Sequence, residues 1–204
     1  RLDLETAKEA AHAHDGKVND VALTLWAGGL RALLASRGEP VAGVELTAGV
    51  ALSTRSANDS SIDNQVGTVV LPLPVGETDA GRRLDRIICT TREAKDRPRS
   101  AAIMGILVGL ASTPLGRHFM VRQRATNVMT SNVAGPPVPL FVMGAPILDL
   151  LPILDLSANI ALIMCAFSYT GRLCLVVTAD AAGFPDLDVL IGGMEQDWHA
   201  LAGD

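Results

Sequence analysis

No uninterrupted apolar run in this chain reaches the roughly 18–20 residues that a membrane-spanning helix needs. Ala101–Ala111 is too short, and the longer Leu140–Phe167 is interrupted by prolines, aspartates and an asparagine. Hydrophobic residues nevertheless make up 49% of the chain, and the mean hydropathy is +0.31. These values predict a cytoplasmic protein with an apolar surface that packs on a partner or makes peripheral contact with a membrane or lipid inclusions.

Positive charge is also scarce. The 17 Lys and Arg residues are outnumbered by 22 Asp and Glu residues, which gives a net charge of −5. A nucleic-acid partner is therefore excluded, because phosphate binding requires a basic stripe. Arg82, Arg83 and Arg86 do cluster, but carboxylates lie among them, which is typical of a solvated helix face. Binding of an anionic lipid or a coenzyme A phosphate by this cluster is the alternative.

Motifs for metals and nucleotides are missing. The three cysteines, Cys89, Cys165 and Cys174, have no metal-ligand spacing and are predicted to be free buried thiols in a reducing compartment. None of the four histidines stands at a spacing from a carboxylate that defines a hydrolase or metal site. No Gly-rich phosphate loop or dinucleotide fingerprint is present. We therefore expect no metal and no permanently bound cofactor.

Helical and strand patterns alternate along the chain before strands dominate. The predicted helices are Leu4–His14, Asp20–Ser36, Ala80–Arg97, Ala101–Ala111 and Pro185–Leu201, and the predicted strands are Leu46–Ser53, Gln65–Leu73, Thr126–Val133, Leu140–Ala145, Ser157–Tyr169 and Arg172–Asp180. Pro72 marks an edge or the end of its strand, and Thr170-Gly171 is typical of a two-residue hairpin loop. The pattern predicts an α/β fold with a mixed sheet flanked by helices.

Local signals place the ends of the first two helices. Gly16 is predicted to stop the first helix, Asn19 to cap the second, and Gly38 to end it. Asp20 falls in the first turn, where a carboxylate complements the helix dipole. Gly28-Gly29 lowers helix propensity in the interior, so we expect another element to pack closely there.

The segment from Thr130 to Leu140 carries the most specific local signal. Polar Thr130, Ser131 and Asn132 follow a strand-like run and precede a stop at Gly135-Pro136-Pro137. Proline removes backbone donors and glycine permits unusual torsions, so we expect the strand to end here with its polar groups exposed at the tip. Such a tip is a common way to build a site, although hydrogen bonding within the turn is the simpler interpretation.

Three further segments stand in a fixed order around this one. They are Lys17-Val18-Asn19-Asp20-Val21-Ala22-Leu23, then Asp63-Asn64-Gln65-Val66-Gly67, and later Ala158-Asn159-Ile160-Ala161-Leu162. Together with the Thr130–Leu140 segment they resemble the C-terminal half of the bacterial wax ester synthase/diacylglycerol acyltransferase family. The resemblance runs from about Gly16 to Leu190, so residues 1–204 are predicted to be one C-terminal domain of that kind.

The resemblance implies the C-terminal half of a coenzyme A-dependent acyltransferase fold, similar to chloramphenicol acetyltransferase. The family's catalytic histidine lies in an HHxxxDG motif of the N-terminal half, and His12-Ala13-His14-Asp15-Gly16 lacks the paired histidines and the spacer of that motif. The chain begins at Arg1 without an initiator Met or signal peptide, as expected of a fragment. The implied partner is the N-terminal half, without which this chain should be inactive. The implied substrates are acyl-CoA and a long-chain alcohol or diacylglycerol, and the implied products wax esters or triacylglycerols.

The same resemblance nominates site residues. Because the wider superfamily uses a hydroxyl on a C-terminal-half strand for the oxyanion, Ser131 is the candidate donor, Thr130 the fallback and Asn132 an orienting group. Asn19 and Asp20 are expected to cap a helix, with a position facing the substrate tunnel as the alternative. For Asn64 and Asn159, we expect an internal hydrogen bond rather than contact with a ligand. Gly135 and Pro136 are the remaining candidates, with either a substrate-binding or a structural role.

Two other functions remain open. One is a non-catalytic module that binds lipid or tethers a lipid droplet, having kept the fold without the chemistry. The other is a related condensation-type acyltransferase that serves polyketide or peptide synthesis. An intact HHxxxDG motif in the polypeptide encoded upstream would favour catalysis over the first alternative. Substrate profiling would distinguish the second alternative from a wax ester synthase or diacylglycerol acyltransferase.

Overall fold

A computed structural model describes residues 1–53, 66–96, 113, 116, 118, 121–156 and 158–203. The helices are α1 (Leu4–Ala13), α2 (Val18–Ser36), α3 (Ala80–Asp96) and α4 (Leu187–Ala202), and the strands are β1 (Leu2–Asp3), β2 (Leu46–Ser53), β3 (Val66–Leu73), β4 (Val128–Ala134), β5 (Phe141–Val142), β6 (Ala145–Pro146), β7 (Leu162–Tyr169) and β8 (Arg172–Ala179). The predicted helix Ala101–Ala111 lies outside the described residues.

Six strands form one mixed sheet in the order β1-β8-β7-β4-β2-β3. Strand β4 lies parallel to both of its neighbours, β2 and β7, while the outer pairs are antiparallel. Strand β3 is at an edge, where Pro72 removes no hydrogen bond from a central ladder. The mixed sheet predicted from the sequence is therefore confirmed.

Helices α1 to α4 pack on one face of this sheet. Residues that alternate along the strands, such as Val50, Met164 and Leu173, join the helical side chains in one buried core. Trp26 of α2 is the largest side chain that is fully buried there. The residues between them in sequence, including Ser131 and Cys165, belong to the second face of the sheet, because successive strand side chains point to opposite sides.

Glycines let α2 and α4 cross unusually closely. A Cβ on Gly29 would lie 2.7 Å from the Leu190 carbonyl oxygen, and a Cβ on Gly193 would lie 3.1 Å from that of Gly28. A Cβ on Gly28 would collide with the Asp197 carboxylate. The close packing expected at Gly28-Gly29 is thus confirmed, and it compensates for the low helix propensity of these residues.

The space above Gly28 holds a buried ion pair. The Arg83 guanidinium of α3, only 1% exposed, donates to Asp197 of α4 and to the Glu77 carbonyl oxygen. Burial lowers the pKa of Arg83 and raises that of Asp197, because desolvation of the two groups outweighs their attraction. Arg83 therefore does not belong to the solvated helix face predicted for the arginine cluster, whereas Arg82 and Arg86 are exposed.

Turn chemistry confirms two of the predictions and corrects others. Gly38 has φ +77° and closes α2 through bonds from Gly38 N to Ala35 O and from Glu39 N to Leu34 O, a Schellman motif. Thr170 and Gly171 both have positive φ and join β7 to β8, as a type I′ hairpin requires. After α1, however, the left-handed residue is Asp15, at φ +57°, and not the predicted Gly16. Gly16 is instead constrained by space, because a Cβ would lie 2.6 Å from Ile88.

Two strand predictions were also wrong. The segment Leu140–Ala145 is not one strand, because Met143 and Gly144 both have positive φ and turn the chain into the short hairpin β5–β6. Strand β7 starts at Leu162 rather than Ser157, and Asn159 lies in the turn before it. The final helix starts after Asp186, so Pro185 precedes its cap instead of starting it.

The α2–α4 crossing generates a stability prediction. Gly28→Ala should lower the free energy of unfolding by about 1–3 kcal/mol, because its methyl group displaces the buried Arg83–Asp197 pair. The matched control is Gly192→Ala on α4, where an added Cβ meets nothing within 4 Å. That control should raise stability by about 0.5–1 kcal/mol through helix propensity. Urea unfolding of both variants is the measurement, and a stabilised Gly28→Ala would contradict the close packing.

Candidate functional site

The predicted polar tip lies inside strand β4. The strand runs through Ala134, so Thr130, Ser131 and Asn132 stand in its middle and not at its end. Parallel pairing holds them there: Ser131 faces Ala51 of β2 on one side and Cys165 of β7 on the other. The local sequence could not show this, because the ladder that extends the strand past Asn132 comes from β7.

The three polar residues are divided between the two faces of the sheet. Thr130 is 4% exposed and pairs with Val50 and Met164, both of which belong to the buried core beneath the helices. Asn132 shares this face of the strand because it is two residues further along. Ser131 lies on the opposite face and is partly exposed. The orienting contact predicted between Asn132 and Ser131 is therefore not favoured, since it would have to cross the strand.

Cys165 is the neighbour that Ser131 does contact. The two residues are paired across β4 and β7, so their side chains share one face. Burial raises the pKa of the Cys165 thiol, and a hydrogen bond from the Ser131 hydroxyl partly opposes that shift. Alternation assigns each residue to a face of its strand, but the pair itself depends on the order and register of the strands, which no local signal gives.

Gly135 and Pro136 follow the carboxyl end of β4. A Cβ on Gly135 would lie 2.5 Å from the Phe167 ring and would also collide with the Ser168 carbonyl oxygen. Its N–H donates to the Ser168 hydroxyl at 3.3 Å. The glycine is therefore required for the close approach of this turn to β7, which gives it a structural role in the described residues.

Asn159 lies at the other end of the sheet. Its side-chain amide donates to the Gln123 carbonyl oxygen (2.6 Å), and its side-chain oxygen accepts from the Gln123 side chain (2.9 Å). This exchange joins the turn before β7 to the segment before β4, so the expected internal hydrogen bond is confirmed. At about 3.3 Å of rise per residue, the eight steps from Asn127 to Gly135 separate the residues that flank β4 by about 26 Å. Asn159 and Gly135 thus belong to different sites.

Asp20 caps helix α2, and Asn19 does not. The N-cap is Lys17, whose N–H donates to the Asp20 carboxylate at 2.9 Å. The second carboxylate oxygen accepts from the Thr91 hydroxyl of α3 at 2.8 Å, and Asp20 is 3% exposed. The cap predicted at Asn19 is therefore wrong, because the helix starts at Val18 and the Asp20 carboxylate, at the third helical position, reaches back to the N–H of the N-cap. Asn64, the remaining candidate, lies outside the described residues.

A surface depression of about 370 Å³ combines residue types that often indicate catalysis. It is lined by His14, Asp85, Ile88, Cys89, Arg92 and Glu93. His14 Nδ1 lies 2.6 Å from Asp85, a contact that the sequence spacing did not suggest. The Cys89 thiol is exposed, contrary to expectation, and it donates to Glu93 rather than to His14. A Cys–His nucleophile is not assembled here, because the thiol lacks contact with the base.

The described ranges hold neither a candidate metal site nor a membrane-spanning helix. No group of three or more His, Cys, Asp or Glu side chains there could hold a metal ion. Of the helices α1 to α4, none combines the length and apolarity needed to cross a membrane. Among the three polar residues of β4, Ser131 alone lies on the second face of the sheet, next to Cys165.

The sequence is similar to that of bacterial proteins named as O-acyltransferases. At 28% identity, 96% of the chain matches the protein named probable diacylglycerol O-acyltransferase tgs1 from Mycobacterium tuberculosis (strain H37Rv), covering 44% of that protein. O-acyltransferase WSD from Acinetobacter baylyi is 27% identical over 99% of the chain and 45% of its own length. The chain therefore spans less than half the length of these relatives.

The fold is shared with solved acyltransferases. The wax ester synthase/diacylglycerol acyltransferase from Marinobacter aquaeolei VT8 superposes on the whole chain with a TM-score of 0.78 at 24% identity, over 48% of its own length. Solved condensation domains share the fold at lower identity. The family model for the WS/DGAT C-terminal domain matches residues 62–202, which is more than half of the chain. The chain belongs to the wax ester synthase/diacylglycerol acyltransferase family, as its C-terminal domain.

Proposed function

We propose that this chain is the C-terminal half of an acyl-CoA:alcohol O-acyltransferase that forms wax esters or triacylglycerols. The observation that carries the proposal is the family match over residues 62–202, joined to relatives named as O-acyltransferases of about twice this length. The general-base histidine is then supplied by the half that precedes this chain in those relatives. No permanent cofactor is needed, and acyl-CoA is a substrate.

Acyl transfer from a thioester to an alcohol needs two kinds of group. A general base takes the proton of the alcohol as its oxygen attacks the thioester carbonyl, and donors stabilise the resulting oxyanion. The intermediate collapses with cleavage of the C–S bond, and the coenzyme A thiolate leaves. In our proposal the histidine of the preceding half acts as the base, and this half supplies one oxyanion donor and one wall of the substrate tunnel.

Ser131 is the donor that the geometry supports best. Its hydroxyl is partly exposed, whereas Thr130 is buried beneath the helices, where an acyl group would have to displace the core. The Ser131 side chain lies on the same face of the sheet as Cys165, with which it pairs. A hydrogen bond from this hydroxyl to an oxyanion would be charge-assisted, which favours the transition state over the free enzyme. Peripheral contact of the whole protein with a membrane or lipid inclusion would deliver the lipid acceptor.

The proposed activity is tested by mixing halves. This chain alone, the polypeptide encoded directly upstream, and the mixture are assayed for coenzyme A release from palmitoyl-CoA, with hexadecanol or diacylglycerol as acceptor. We expect ester formation in the mixture only, because the base and the proposed donor lie in different halves. A correctly assembled complex that releases no coenzyme A would instead indicate a non-catalytic lipid-binding module, and peptidyl or polyketide acceptors would indicate a condensation-type enzyme.

Ser131→Ala should reduce kcat of the reassembled enzyme at least about ten-fold, with little change in KM, because one oxyanion donor is lost. The matched comparison is Thr130→Val, which removes the neighbouring hydroxyl on the opposite face without changing side-chain volume much. We expect Thr130→Val to lower stability rather than kcat. A large kcat loss for Thr130→Val, with Ser131→Ala unaffected, would assign the donor to Thr130.

Substitutions at Asn19 and Asp20 together test whether these residues cap helix α2 or face the substrate tunnel. Asp20→Asn should lower the free energy of unfolding by about 1–3 kcal/mol, because a buried charged acceptor for Lys17 N and the Thr91 hydroxyl is weakened. Asn19→Ala should leave stability within about 0.5 kcal/mol, since Asn19 is not the cap. We also expect it to leave activity within about two-fold. Lost activity in Asn19→Ala at unchanged stability would place Asn19 in the substrate tunnel.

A further inference from the structure

Strand β2 carries a glycine inside the sheet, and Met129 of β4 fills the space that this glycine leaves. Gly49 pairs with Met129 in the parallel ladder. A Cβ on Gly49 would collide with the Met129 sulfur and would lie 3.3 Å from the Met129 methyl carbon. The Met129 side chain therefore extends sideways from β4 and lies above the Gly49 backbone. A glycine inside a strand often marks such a close approach.

Met129 lies on the same face of the sheet as Ser131. The two residues are two positions apart on β4, so their side chains point to the same side, about 7 Å apart along the strand. Val128 and Thr130, the sequence neighbours of Met129, are instead buried beneath the helices, at 5% and 4% exposed. Met129 itself is partly exposed. It is therefore a neighbour of the proposed oxyanion donor on the second face.

Toward the carboxyl end of β7, the chain itself crosses the second face. The Tyr169 hydroxyl, on this face by alternation, accepts from Leu140 N at 2.8 Å and donates to Ile147 O at 2.9 Å. At the end of β4, the Gly135 turn lies so close to the Phe167 ring that a Cβ would be 2.5 Å from it. A linear molecule lying on the second face is therefore obstructed in that direction.

Toward the edge of the sheet, the second face presents apolar residues. Val70 of β3 pairs with Gly49, so its side chain lies on the same face. Val70 is 50% exposed, on an edge strand. Met129, Gly49 and Val70 thus form one row across three strands, here called the lateral slot. The row extends over two strand spacings, or about 10 Å.

The residue that fills the lateral slot is one that can move. Methionine is unbranched and has three rotatable side-chain bonds, so it adapts to a neighbouring group at low cost. The gap above Gly49 is wide enough for the thioether, and a linear alkyl chain has similar width and polarity. Met129 and an alkyl chain would therefore compete for the same space.

We propose that the lateral slot receives the distal part of the acyl chain of acyl-CoA, and that Met129 determines the chain length accepted. This inference rests on the proposed function, in which the thioester carbonyl lies at Ser131. A short acyl group ends before Met129. A longer group turns Met129 out of the gap above Gly49, and each methylene that then gains apolar cover increases the affinity about four-fold.

The test compares two substrates in the full-length polypeptide. The kcat/KM values for stearoyl-CoA and octanoyl-CoA are measured with hexadecanol as acceptor, and their ratio is the readout. Met129→Ala should raise this stearoyl-to-octanoyl ratio at least about ten-fold, because the competing side chain is removed. Gly49→Ala should lower the ratio at least about ten-fold, because the added methyl group drives Met129 toward Ser131.

A double substitution separates selectivity from a general loss of structure. Gly49→Ala/Met129→Ala should restore the ratio to at least its original value, because the two residues act through one contact. Met129→Trp, which leaves β2 unchanged, should lower the ratio as Gly49→Ala does. The matched control is Val128→Ala, on the opposite face of the same strand. It should lower stability and leave the ratio within about two-fold.

Two results would overturn the proposal. One is an unchanged ratio in Met129→Ala, or a ratio that the double substitution fails to restore. The other is a change in selectivity between butanol and hexadecanol while the acyl-CoA ratio stays constant, which would place the acceptor chain in the slot.

Binding measured without an acceptor separates the slot from the acyltransferase function. Calorimetry gives the affinities of the full-length protein and its Met129→Ala variant for octanoyl-CoA and stearoyl-CoA. A protein that shows the expected shift in the affinity ratio but releases no coenzyme A with any acceptor would support the slot and contradict the function. An active enzyme in which neither ratio shifts would keep the function and contradict the slot.

Discussion

The close approach of α2 to α4 is the constraint from which the helical layer of this domain is built. Gly28 and Gly29 bring the two helices together, and the space this leaves is filled by the buried Arg83–Asp197 pair, which also ties in α3. At the other end of the same crossing, Arg37 bonds Asp186 at the start of α4. Three helices are therefore held in one arrangement by contacts far apart in sequence, and that layer covers one whole face of the sheet.

Covering one face decides what the polar residues of β4 can do. Thr130 faces the helical layer and is 4% exposed, whereas Ser131 faces away from that layer next to Cys165. Adjacent residues of one strand thus have unrelated environments, and a single-residue change of register would exchange them. The parallel pairing of β4 with both β2 and β7 prevents such a slip. The position of Ser131 is consequently a property of the sheet, and not of the glycine and prolines that follow it.

Local signals predicted the parts of the fold that local physics controls. Gly38, Thr170-Gly171 and Pro72 were correctly interpreted, because a positive φ or a missing donor decides the structure at those positions. Features that depend on distant partners were not accessible. Arg83 is buried because it pairs with Asp197, which lies 114 residues further along the chain. His14 likewise contacts Asp85, 71 residues away in sequence. Among the site candidates, Asn159 makes the hydrogen bond expected of it, while the pairing of Ser131 with Cys165 depends on the order of the strands.

The structure also shows where the excess of apolar residues is exposed. A mean hydropathy of +0.31 could have been spread over the surface, but the large exposed side chains are concentrated beyond β4, between Gly135 and the turn before β7. Evenly spread residues would cost little, whereas a concentrated set is an aggregation hazard unless it is covered.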